Sequence, residues 1–265
     1  MSPHKFLNLH GIKNSTMKKI FYLVAFLGAC NFSVAQYAGQ VATNLSTGGS
    51  QSGGVSAQIN TLLGPTTERN AKLGNDFSNF QGSPYISNTF LPTKMFFKEE
   101  DLGLIFYRYN ALNEEIEIKK NNLDNEPIKS LARDKNISVV VDGKRMSFKT
   151  FVTSKKKTLN GYLIVLSEGA SYDLFKRTHV KFTEGKAATS SFTKAVPSRF
   201  AQFTEYYLQP KGVARMDEIS LKNGKLVKLV GDADKVKLKS YLKENDLNIK
   251  EEADLIKAIA FLNQK

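Results

Sequence analysis

ISVVVDGKRMSFKTFV, residues Ile137 to Val152, is the stretch whose reading decides the fold. Two β-type runs, Ile137 to Val141 and Met146 to Val152, are joined through Asp142-Gly143. Both central turn positions tolerate positive φ, so the chain reverses on two residues and the runs pair antiparallel. Similar devices recur outward from it. Leu104 to Tyr109 and Glu114 to Lys119 flank an Asn-Ala-Leu-Asn turn, and Ile116 and Ile118 alternate with Glu115, Glu117 and Lys119. Lys222-Asn223-Gly224-Lys225 predicts another hairpin between Ile219 to Leu221 and Leu226 to Val230. Gly161 to Leu166, Tyr172 to Thr178, Val180 to Thr183 and Arg199 to Leu208 complete about nine or ten strands. The class is therefore mainly β (α+β), an antiparallel curved sheet, sandwich or partial barrel.

From Asp232 onward the period becomes helical. Asp232 can cap a helix carrying Val236, Leu238, Tyr241 and Leu242. Asn248 with Glu251 reads as a capping box for a second helix, in which Leu255, Ile256, Ile259 and Leu262 share one face. Residues 232–265 thus predict an αα-hairpin packed on a β-rich domain spanning 81–231. The hairpin has balanced charge and no arginine, so packing on the sheet is favoured over nucleic-acid binding.

Upstream, residues 36–80 read as a flexible Gly/Ser-rich lead-in, with Ser46 to Gly54 too small and polar to bury anything. A short apolar patch, Ile59 to Leu63, could dock on the domain or on a partner. Residues 17–35 read as a signal peptide: Lys18 and Lys19 precede the apolar run Ile20 to Ala29. A membrane span takes about 20 apolar residues, more than this run supplies. Two processing signals overlap. Ser33 and Ala35 supply the small residues for a cut that leaves Gln36 first, and this is the leading reading. Leu27-Gly28-Ala29-Cys30 resembles a bacterial lipobox, whose cysteine would carry the lipid. Residues 1–16 read as a mis-assigned start before Met17. The localisation expected is periplasmic or secreted, with an outer-membrane-tethered lipoprotein as the alternative and membrane attachment only through Cys30.

Net charge is +13, and the excess lies between residues 93 and 231. Export separates such a surface from cytoplasmic nucleic acid. The partners expected are an envelope protein, an acidic glycan or a lipid head group. Scattered lysines also solubilise and guard strand edges. A membrane β-barrel is disfavoured, because its strands need about ten residues with an unbroken apolar row.

Catalytic patterns are sparse. His179 is the only histidine after residue 35 and there is no G-x-S-x-G elbow. Ser-x-x-Lys occurs at Ser2, Ser15, Ser154, Ser191 and Ser240, a frequency that chance supplies. With Cys30 the only cysteine, no metal or other cofactor is expected. Asp232-Ala233-Asp234 begins like a calcium loop, but Val236 replaces an oxygen ligand. Glu114, Glu115 and Glu117 have the spacing of a solvated strand face rather than of a glycosidase pair. What remains is an aromatic and basic surface, Tyr107, Arg108 and Tyr109 on one strand and Arg199, Phe203, Tyr206 and Tyr207 on another. The ligand surface expected is Tyr107, Tyr109, Arg199, Tyr206 and Tyr207.

The order Gly82-Ser83-Pro84-Tyr85, Tyr107-Arg108-Tyr109-Asn110, Glu115-Ile116-Glu117-Ile118, Tyr241-Leu242-Lys243, Asp254-Leu255-Ile256 and Phe261-Leu262-Asn263 resembles uncharacterised exported proteins of Bacteroidota, over about residues 80–265. That resemblance implies export and no particular activity. The function expected is a non-catalytic envelope or secreted binding or assembly module. The alternatives are a carrier of a lipid or other apolar ligand under the sheet, and a hydrolase using His179.

Overall fold

The structure is a computed structural model that describes residues 53–66, 77, 79–190 and 192–264. Val55 to Lys265 form one compact unit. The Asp142-Gly143 reversal is present, with φ of 49° and 75°, the mirror-image turn that matches strand twist. It joins β6 (Ile137–Val141) to β7 (Lys144–Val152), with Val141 opposite Lys144. β2 (Leu91–Phe97), β3 (Glu100–Asn110) and β4 (Glu115–Lys119) form a meander, and β5 (Lys129–Leu131) pairs with β4. β8 (Thr158–Ser167), β9 (Tyr172–Thr183) and β10 (Arg199–Pro210) follow, then the two-residue β11 (Asp217–Glu218).

Within the segment whose composition suggests a spacer, Gly53–Thr61 is helix α1 and Leu63–Gly64 is β1, which pairs with β5. Ile59 is buried in the core, so the Ile59 to Leu63 patch docks on this domain.

The eleven strands among the described residues form one sheet in the order β1-β5-β4-β3-β2-β6-β7-β11-β10-β9-β8, antiparallel apart from β11 against β7. β8 also pairs with β7, so the sheet curls back on itself at this end without closing into a barrel. Three apolar clusters result. Met95, Ile105, Ile116, Ile137 and Val139 fill the largest. Phe151, Leu163, Phe175, Tyr207 and Met216 fill the inside of the curl. Leu174, Tyr206 and Leu208 on the opposite face of β9 and β10 pack against the helices. Each such side chain contributes about 1.5–3 kcal/mol by leaving water.

The C-terminal part has three helices, α2 (Asn223–Leu229), α3 (Asp232–Glu244) and α4 (Glu252–Leu262). The expected hairpin at Asn223-Gly224 is therefore corrected: the chain is helical there. Leu226, Leu229 and Val230 fit a helical period as well as a strand, and Leu226 and Val230 are buried among the helices. Asn223 is also committed elsewhere, donating from Nδ2 to Leu247 O at 2.6 Å and accepting from Ile249 N–H at 3.2 Å. The expected caps also shift. Gly231 precedes α3, with Asp232 as its first residue, and Glu251 precedes α4. Asp254 rather than Glu251 accepts the Asn248 N–H, at 3.1 Å.

Candidate functional site

β9 and β10 pair without a register shift, with Thr204 opposite Thr178 and Tyr206 opposite Lys176. Alternation puts Lys176 and Thr178 on one face with Gln202 and Thr204. On that face Val180 and Phe200 enter the large core at one end, and Leu174 and Tyr206 enter the helical cluster at the other. Between these two apolar anchors the sheet surface is polar. A cleft of about 340 Å³ opens over it, walled by Ile86, Leu91, Tyr107, Met146 and Ile164 and floored by Thr178, Gln202 and Thr204.

The cations at the cleft are engaged. Arg108 donates from Nε and Nη2 to Glu117 Oε2 at 2.9 and 2.5 Å. Its guanidinium lies 3.9 Å from the Tyr85 ring centre and 4.6 Å from that of Phe90. Lys176 pairs with Glu252 at 2.6 Å. Burial, with the nearby Asp142 carboxylate, holds the Tyr107 phenol above its ordinary range. Beside the Asp142 carboxylate, which also lines it, the chamber therefore offers an apolar wall, neutral hydroxyls and an amide, which suits an apolar group flanked by hydrogen-bonding atoms.

The opposite face carries a buried ion cluster. Arg177 donates from Nε to Glu114 Oε2 at 3.2 Å, from Nη2 to Glu114 Oε1, and from Nη1 to Glu205 Oε2 at 2.6 Å. Tyr207 Oη donates to the same Glu205 oxygen at 2.7 Å. Burial opposes the Glu205 charge, but the hydrogen bonds from Tyr207 and Arg177 outweigh it and hold its carboxyl below the ordinary range. Burial and the Glu205 carboxylate push the Tyr207 phenol up. Glu114 reaches this position from the β3–β4 turn, at a φ of 52°. That turn wedges where β8 and β9 separate, and Ala111 O accepts the Val180 N–H at 2.9 Å. Gly161 on β8 makes the room, since a Cβ there would fall on a Glu114 carboxylate oxygen.

His179 stands beside this cluster, stacked on Phe203 with ring centres 5.4 Å apart. Its Nδ1 is buried without a hydrogen-bond partner, 3.8 Å from Glu205 Oε1. Burial and the Arg177 charge hold its pKa below the ordinary value. A triad orients its histidine by a carboxylate at hydrogen-bond distance; Glu205 Oε1 stands 3.8 Å from Nδ1, beyond that distance, while Arg177 and Tyr207 hold the other oxygen, Oε2.

The expected ligand surface divides. Tyr107 and Tyr109 line the cleft but are only 8% and 5% exposed. Tyr206 and Tyr207 are not surface residues. Tyr206 lies under the helices and donates to Glu252 Oε2 at 2.8 Å, while Tyr207 is fully buried in the curl. Arg199 is exposed at the start of β10, where it bridges to Gln81. Local alternation could not reveal that the Tyr206 to Leu208 end of β10 is covered on both faces. Nor could it single out Thr178, Gln202 and Thr204, which have no chemical signature outside their cleft. The three glutamates weighed as an acid pair diverge, Glu114 to Arg177, Glu117 to Arg108, and Glu115 to 4.0 Å from Arg133. Cys30, Ala35 and Gln36, with the whole of 17–36, lie outside the described residues.

Among the described residues, no group of three or more His, Cys, Asp or Glu side chains is placed to hold a metal ion. No helix among them is long and apolar enough to cross a membrane. No family model, curated protein or solved structure matches the chain.

Proposed function

We propose that the protein is an exported, non-catalytic binding module whose ligand inserts an apolar group into the β9–β10 cleft. The observation that carries this reading is the cleft itself, a polar floor under an apolar wall between two anchored cores. Its volume of about 340 Å³ is at the low end for small-molecule sites, which suits one aromatic or branched group better than a whole lipid. Export is supported by the Met17 to Gln36 pattern, and the lack of an oriented base at His179 supports a non-catalytic role. The test is binding of anilinonaphthalene sulfonate, read by fluorescence, to the wild type and to Ile164→Trp, whose indole fills the cleft. Saturable binding lost in the variant supports the reading, and equal binding by both defeats it. Intact mass and amino-terminal sequencing test the export half. A chain starting at Gln36 means soluble release and an acylated Cys30 means tethering, whereas an intact leader would refute export.

A further inference from the structure

β10 uses only part of its outer edge. On the side away from β9, Phe200 donates its N–H to Gln81 O at 2.7 Å, and Tyr206 O accepts from Ile219 N–H at 2.7 Å. In an antiparallel strand these directions alternate, so the even-numbered residues of β10 present N–H and C=O to that edge. Gln202 and Thr204 lie between the two attachments, and among the described residues nothing pairs with their outward backbone groups. Unpaired edges of this kind are templates for another strand.

The same two residues floor the cleft. A strand added here would turn every second side chain toward the cleft and the others toward the opposite face. That opposite face is basic and aromatic: Arg199 and Lys181 are exposed, Phe203 is 43% exposed, and Lys181 Nζ sits 4.8 Å from the centre of the Phe203 ring. We infer that the partner is an extended segment of another protein, which pairs with Gln202 and Thr204 and alternates apolar side chains entering the cleft with acidic ones facing Arg199 and Lys181. This rests on reading the cleft as a binding site and specifies what occupies it.

The experiment pans the full chain against a phage library of random twelve-residue peptides. Enriched sequences are then synthesised for affinity measurement and hydrogen exchange. The expected result is an alternating apolar and acidic consensus, with the Gln202 and Thr204 amides exchanging rapidly in the free monomer and slowly in the complex. N-methylation at one alternate set of peptide positions should weaken binding by at least about fivefold per lost bond, and at the other set should not. Failure to enrich any peptide over an unrelated β-rich protein would overturn the inference, as would peptides without alternation. Amides already protected in a free monomer would overturn it in favour of a segment of this chain on the edge. Protection that appears with concentration-dependent dimerisation would overturn it in favour of a second copy. Saturable dye binding that Ile164→Trp abolishes, with no peptide found, would leave the cleft reading standing and remove only the strand partner.

Discussion

Replacing Gly161 with alanine should destabilise the protein through one particular neighbour. The added methyl would lie too close to Glu114 Oε2 for van der Waals contact, whereas Phe151 Cε1 at 3.4 Å and Arg177 Nε at 3.6 Å would be its remaining close contacts. Glu114 must then shift against its hydrogen bonds to Arg177, whose side chain is 8% exposed against 20% for Glu114. Removing one partner of a buried ion pair costs about 3–5 kcal/mol, and because Arg177 keeps Glu205 the expected loss is about 2–3 kcal/mol. For a domain of this size that corresponds to a fall in Tm of roughly 4–12 °C. The decisive assay is a double-mutant cycle by urea unfolding with Glu114→Ala, which keeps a Cβ at the positive-φ position and removes the carboxylate with its γ-methylene. If the methyl acts through Glu114, the double variant should be no less stable than Glu114→Ala alone, to within about 0.5 kcal/mol. Additive losses would refute the reasoning and place the strain in the Phe151 cluster instead.

Asn263 ties the last helix to the sheet, its Oδ1 accepting from Ser171 and Tyr172 N–H at 3.0 and 2.8 Å and its Nδ2 donating to Tyr172 O at 2.9 Å. Asn263→Ala should cost about 2–3 kcal/mol and raise proteolytic cleavage within residues 223–262, read by mass spectrometry. Ile59→Ala should cost about 2–4 kcal/mol in urea unfolding, because the lead-in packs on the core; a loss below about 0.5 kcal/mol would make it a mere tether. Burial and the Arg177 charge hold the folded-state pKa of His179 below the ordinary histidine value of about 6.5, so the unfolded chain takes up the proton first and stability should fall as pH drops below about 6.5. Glu205 contributes in the same direction lower down, its depressed pKa adding stability that is lost as pH falls below about 4.5. His179→Gln should flatten the upper part of this profile, and an unchanged slope between pH 7 and pH 5.5 would exclude the histidine as its source.

Much of the sheet was legible because its signals are local. The Asp142-Gly143 turn, the Ile116/Ile118 alternation and the long runs of β8, β9 and β10 each need only their own residues. The runs Tyr172 to Thr178 and Val180 to Thr183, given as separate runs, are one strand through His179, which lies on the face shared with Arg177. The short strands β1, β5 and β11 were not legible, since two or three residues become a strand only by meeting a partner already in place. The Asn223-Gly224 reading failed for a related reason: a five-residue apolar run fits both periods, and helix packing decided between them. At the site, Tyr107 and Tyr109 were legible from alternation beside Ile105. The roles of Tyr206 and Tyr207 depended on what covers each face of β10, which is a property of the whole curl. The Arg177 cluster joins residues too distant in sequence to suggest one another.

The Glu114–Arg177 contact spans 63 positions of the chain. At synthesis rates of about 5–20 residues per second, the β3–β4 turn emerges roughly 3–13 s before the strand it locks onto. During that interval Glu114 has no cation to meet, and the apolar side of β3 lacks the cover that β9 and β10 later provide. The two ends of the sheet can therefore be joined only after most of the chain exists, which makes the joint a late, non-local step in folding. Variants at Glu114 or Gly161 should accordingly act mainly on the rate at which the finished protein unfolds and leave the early rate of its formation nearly untouched.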